Sequence, residues 1–139
     1  MKYLLDTCVI EELIKHQPNP DVIAFVDSLE HEDIYLSAIT VGEITKGIHL
    51  IGDPNRKREL EDWLRDFFLV RFDGHILSLD TEIFIRWGRL SADLERIGLP
   101  PAPSIDSLIA ATALTHQMIL VTMNEDDFNH TGLEIVNPW

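Results

Sequence analysis

Apolar residues along this chain fall into two rhythms. Short apolar runs bounded by polar residues, Lys2–Leu5, Ile34–Ser37, Ile76–Leu79, Ile119–Thr122 and Glu134–Val136, predict five buried strands. Longer stretches between them carry helical spacing. Val22, Phe25, Val26 and Leu29 mark Asp21–Leu29; Ile39, Ile44, Ile48 and Ile51 mark Ala38–Ile51. Leu60, Trp63, Leu64, Phe67 and Phe68 share one side of Asn55–Val70. Ile83, Phe84, Trp87, Leu90, Leu94 and Ile97 share one side of Asp80–Ile97, where Gly98 supplies a stop. Ser104–His116 reads SIDSLIAATALTH, a small-residue helix opened by Pro103–Ser104 and suited to close packing on a sheet. The aromatic positions Trp63, Phe67, Phe84 and Trp87 read as core. Helices alternating with short strands predict an α/β fold with a mostly parallel central sheet of about five strands, covered on both faces.

That topology sorts the polar residues. A helix that follows a parallel strand runs back against it, so its N-terminus lies at the edge where strands end. Asp6 follows the first strand directly. Glu43 lies within two turns of the strand ending near Ser37, and Asp106 sits in the first turn of the helix feeding Ile119–Thr122. Thr122, Asn124 and Asp127 follow that strand. All converge on one edge of the sheet, where open α/β sheets place their sites. Each also has a local explanation. Asp6 or Thr7 can cap the next helix, TVGE at Thr40–Glu43 fits a capping box, and Asp106 suits a helix N-terminus.

Composition sharpens the choice. The 139 residues, 45% of them apolar, fit one domain with a core of its own. Cys8 is the sole cysteine, so no internal disulfide forms, and it reads as a small buried residue. No basic region followed by a long apolar run opens the chain, and no apolar stretch approaches the roughly 18 residues a bilayer requires; the expectation is a cytoplasmic protein with no membrane partner. The net charge of −13 repels nucleic acid at long range. It favours a basic partner, or carboxylates gathered where a cation neutralises them, because crowded carboxylates otherwise raise one another's pKa. Oxygen-only donors suit Mg²⁺ or Mn²⁺ rather than Zn²⁺, and the six histidines form no HExxH pattern. Acids holding such ions attack phosphodiesters by activating water, with no nucleophilic side chain. No G-x-S-x-G, P-loop or G-x-G-x-x-G competes.

Five segments in order carry a resemblance: YLLDTCVI, SAITVGEITKGI (37–48), SIDSLIAATAL (104–114), VTMNEDDF (121–128) and GLEIVNPW (132–139). Together they resemble the PIN-domain family, and within it the VapC/FitB-like toxins of bacterial toxin–antitoxin pairs. The resemblance implies one three-layer α/β/α PIN-like domain over 1–139 and a Mg²⁺- or Mn²⁺-dependent ribonuclease. It maps Asp6, Glu43 and Asp106 onto the family acids, with Asp127 as a supplementary acid and Asn124 as a neutral ligand or hydrogen-bonder. Thr7 and Thr122 support them. Met123 stands where relatives often carry Arg. The resemblance also implies a cognate antitoxin and a homodimer. Lys46, one turn beyond Glu43, and the pair Arg86 and Arg89 are candidate contacts to the RNA backbone. Two other readings stand beside this one. Asp6 as a covalent phosphoryl acceptor is disfavoured because Cys8, not an acid, lies two residues on. A catalytically weak or inactive protein-binding module is kept open by Met123 and Asn124.

Overall fold

Leu4 and Leu5 are adjacent in sequence, yet they are only 0% and 1% exposed. A strand buries consecutive side chains only when both faces of its sheet are covered. The computed structural model describes residues 1–99 and 104–139, so Pro103 lies outside the described residues. Five strands, β1 (Tyr3–Leu5), β2 (Ile34–Ser37), β3 (Ile76–Leu77), β4 (Ile119–Val121) and β5 (Ile135–Val136), form one sheet in the order β3-β2-β1-β4-β5. All four pairings are parallel; Tyr3 pairs with both Ile34 and Ile119. β3 stops two residues short of the expected Leu79, and β4 stops at Val121, freeing Thr122.

The helices are α1 (Thr7–Leu13), α2 (Pro20–Asp27), α3 (Ala38–His49), α4 (Pro54–Trp63), α5 (Leu69–Arg71), α6 (Thr81–Arg96) and α7 (Ser104–His116). Alternation along the strands divides the core. Leu5, Ile34, Leu36 and Val121 pack with Val9, Val22, Ile44, Ile48, Leu60 and Phe68 from α1 to α4 and the turn beyond. Leu4 and Leu120 point the other way, onto Leu90 and Leu94 of α6 and Ile109, Ala110 and Ala113 of α7. This is the three-layer α/β/α arrangement. Local chemistry starts the helices: Asn19, Ser37, Asp53 and Asp80 each accept a backbone N–H at the first turn. Gly98, at φ +78°, ends α6 in the left-handed conformation that glycine adopts without cost.

Three expectations change. The helix over 55–70 is broken: a π-helical turn at Leu64–Phe68 separates α4 from α5. The wider turn shifts the helical register, so Leu60, Phe68 and Phe72 are buried while Phe67 is turned out, 70% exposed. Phe84, on the outer side of α6, is 46% exposed and is not core either. The capping box at Thr40–Glu43 does not form, because Ser37 caps α3 and Thr40 lies inside the helix. Among the described residues no helix is long and apolar enough to cross a membrane.

Candidate active site

β1 is the strand about which the order reverses: the chain proceeds to β2 on one side and later returns to β4 on the other. Such a switch point opens a crevice at the carboxyl ends of the strands. Asp6 enters it directly from β1. Its amide donates to the Val121 carbonyl (3.0 Å), aligning it with the end of β4. Its Oδ1 accepts the Thr7 amide at 2.8 Å, and Oδ2 accepts the Thr122 hydroxyl at 2.8 Å. Asp6 is therefore both the N-cap of α1 and a member of the crevice. Only 3% of it is exposed. Burial pushes its pKa up, the bonds from Thr122 and Thr7 hold it back, and the charge of Glu43 adds to the rise.

Thr122 ties two segments together. While its hydroxyl donates to Asp6, its oxygen accepts the Asn124 amide at 3.0 Å. The chain then makes a 3₁₀ turn, Glu125–Phe128, in which the Asp127 amide donates to the Asn124 carbonyl (3.1 Å). Phe128, 2% exposed, anchors that turn in the core beside α7. Met123, Asn124, Glu125, Asp126 and Asp127 line an open polar hollow of about 290 Å³. Glu43 arrives from α3, and its Oε1 accepts the Thr7 hydroxyl at 2.5 Å.

Asp106, in the first turn of α7, is where the charges meet. Its pKa is pushed up to about 6, first by burial and then by the charges of Asp6, Asp127 and Glu43. Asp6, Glu43 and Asp127 thus come from separate parts of the chain into electrostatic reach of Asp106. None of the ion pairs among the described residues involves any of them. Nor do any three His, Cys, Asp or Glu side chains among those residues stand close enough together to hold a metal ion as they are. The acids are gathered in charge and not yet closed in geometry.

Lys46, Arg86 and Arg89 are exposed and make no ion pair with these acids. Cys8 departs from expectation. It is half-buried at the site, with Sγ 3.8 Å from Asp6 Oδ2 and 3.5 Å from Thr122 Oγ1. Burial and then the Asp6 charge push its pKa up to about 11, so it remains a neutral thiol. Glu11 escaped the sequence reading. Burial, then Glu43 and Asp6, raise its pKa, and Lys15 opposes the rise. Its position four residues beyond Thr7, on the same face of α1, was the available signal.

Comparison with known proteins agrees with this architecture. Residues 3–133 match the family model of the PIN domain. The chain is 37% identical over 136 residues to toxin FitB of Neisseria gonorrhoeae, covering 98% of this chain and 97% of that protein. It is 34% identical over 136 residues to VapC ribonuclease Y4jK of Sinorhizobium fredii, covering 98% and 96%. Among solved structures, FitAcB from Neisseria gonorrhoeae matches with a TM-score of 0.94 and 36% identity over 99% of this chain and 98% of that one. The family match runs from β1 through β4 and takes in α1 to α7; on that footing the chain belongs to the PIN-domain family.

Proposed function

We propose that this chain is a Mg²⁺- or Mn²⁺-dependent endoribonuclease, the toxin of a toxin–antitoxin pair, which hydrolyses RNA phosphodiester bonds with an activated water. The observation that carries the reading is Asp106, whose pKa is pushed up to about 6 by burial and then by the charges of Asp6, Asp127 and Glu43, with none of the ion pairs among the described residues offsetting them. Such uncompensated charge costs folding free energy unless a ligand supplies the opposite sign. The donors are hard oxygens, which fit Mg²⁺ or Mn²⁺. Asp6, Glu43, Asp106 and Asp127 would hold the ion, with Asn124 as a neutral donor. When bound, the ion acidifies water and offsets charge gathering on the phosphate.

The chain's own residues supply the order. Asp6 is the fixed point, since the Thr7 amide and the Thr122 hydroxyl lock both its oxygens. Thr7 orients Glu43, and Thr122 sets the start of the segment carrying Asn124 and Asp127. Lys46, Arg86 and Arg89 are proposed to meet the RNA backbone. With a net charge of −13, the chain suits a basic inhibitory partner, proposed to be a co-encoded antitoxin. Relatives named a ribonuclease and a toxin support both parts of the reading.

The deciding experiment measures cleavage of a structured RNA with Mg²⁺, Mn²⁺ or EDTA, by wild type and by Asp6→Asn. Cleavage is expected with either ion, lost in EDTA, and about 100-fold or more slower in the variant. Cleavage that persists in EDTA overturns the metal mechanism. A second reading, a silent protein-binding module, is favoured by Met123, 48% exposed at the site where relatives often carry Arg, and by the neutral Asn124 beside it. Binding of Mn²⁺ without cleavage of any RNA would establish it.

A further inference from the structure

Glu43 does not stand alone on α3. Thr40 occupies the buried stripe of that helix, four and eight residues before Ile44 and Ile48, where an apolar side chain is the ordinary choice. It is 0% exposed and carries a hydroxyl. Thr45, Thr112 and Thr115, also within helices, turn their hydroxyls back to the carbonyls of Val41, Leu108 and Ala111, four residues earlier. Thr40 does not. Its Oγ1 reaches across to Thr7 Oγ1 on α1, at 3.0 Å.

Counting protons gives that contact a direction. A hydroxyl has one proton to donate. Thr7 gives its proton to Glu43 Oε1, because an ionised carboxylate only accepts. The Thr7 oxygen must then accept from Thr40. The result is a buried one-way relay, Thr40 to Thr7 to Glu43, joining α3 to α1 and back to α3. It holds Oε1 while leaving Oε2 with no hydrogen-bond partner among the described residues.

From this geometry we infer that Thr40 is a positioning residue: its hydroxyl fixes the Glu43 carboxylate, through Thr7, in the orientation that receives the divalent cation. The inference rests on the metal-dependent reading above and deepens it. Partners that orient a ligand in this way typically change metal affinity by about 10–100-fold.

The test titrates Mn²⁺ into the protein by calorimetry, alongside RNA cleavage and thermal melting, for Thr40→Val, Thr40→Ser and Thr40→Ala. Thr40→Val keeps the shape and removes the donor; it is expected to weaken Mn²⁺ binding by about 10-fold, while Thr40→Ser stays within about 2-fold of wild type. Glu43→Gln supplies the control for route. In that background Thr40→Val is expected to cost no further Mn²⁺ affinity, since the carboxylate it acts through is gone. Unchanged binding and cleavage in Thr40→Val, or an equal loss with and without Glu43→Gln, overturns the inference. So does loss of the fold in both Thr40→Val and Thr40→Ala, which would make Thr40 a core residue alone. Wild-type protein that neither binds Mn²⁺ nor cleaves RNA would instead bring down the metal-dependent reading itself.

Discussion

Thr122 illustrates how much one hydroxyl can set. Its bond favours the ionised form of a carboxylate that burial pushes the other way. In Thr122→Val the Asp6 pKa should therefore climb further, and the acid limb of cleavage should move to higher pH. The same change leaves a buried carboxylate short of a partner, a loss of about 1–3 kcal/mol measurable by urea unfolding. A pH profile that does not move would mean that Thr122 leaves Asp6 unaffected. Residues differ in how plainly they announce such roles. Asp6 was legible because a carboxylate at the end of a buried strand has few places to go. Thr40 was not, because the spacing of TVGE matches a capping pattern that only the real cap, Ser37, displaces. Glu11 was hidden by its ordinary look, one more acid on the polar side of an amphipathic helix.

Elements follow periodicity until the periodicity changes. The alternating strand and helix signals determined the sheet, because five short apolar runs separated by helices admit little else. The π-helical turn at Leu64–Phe68 could not be read, since a constant 3.6-residue spacing has no place for an inserted residue. α1 also depends on something far along the chain. Glu12, 8% exposed, accepts the Trp139 Nε1–H and the Lys15 ammonium, each at 3.1 Å, and the Asn19 amide at 3.2 Å. The final tryptophan thus braces the helix that carries Cys8 and Glu11. Trp139→Phe keeps most of the ring packing and drops the N–H. It should cost about 1 kcal/mol in urea unfolding, and that cost should vanish in a Glu12→Met background, which has no oxygen to accept the N–H, if the N–H to carboxylate bond is its source.

At the scale of the molecule, the gathered acids link stability to pH. A carboxyl whose folded pKa lies above its unfolded value retains a proton that the unfolded chain has already released. For Asp106 the window runs from about pH 4, the ordinary carboxylate value, up to about 6. Across it, each rise in pH weakens this group's contribution to the folded state; below about pH 4 the contribution is complete. Asp6 acts with the same sign. Without metal, the protein should therefore lose melting temperature between pH 5 and 7.5. Added Mn²⁺ should raise the melting temperature more at pH 7.5 than at pH 5, because protons and cations compete for the same oxygens. An equal Mn²⁺ shift at both values would mean that the ion binds elsewhere. Cleavage should likewise fade in acid and recover partly as Mn²⁺ is raised.

One carboxylate begins α1 and also lies at the centre of the acids. Anyone seeking a harmless stand-in for a toxic gene product will reach for position 6, and the choice of replacement then matters twice. Asparagine retains an oxygen for the Thr7 amide and caps nearly as well as aspartate, whereas alanine gives up the cap too, at a cost of about 0.5–2 kcal/mol. A silenced alanine version would yield less folded material for reasons unrelated to chemistry, and its poor behaviour would be mistaken for a property of the lost activity.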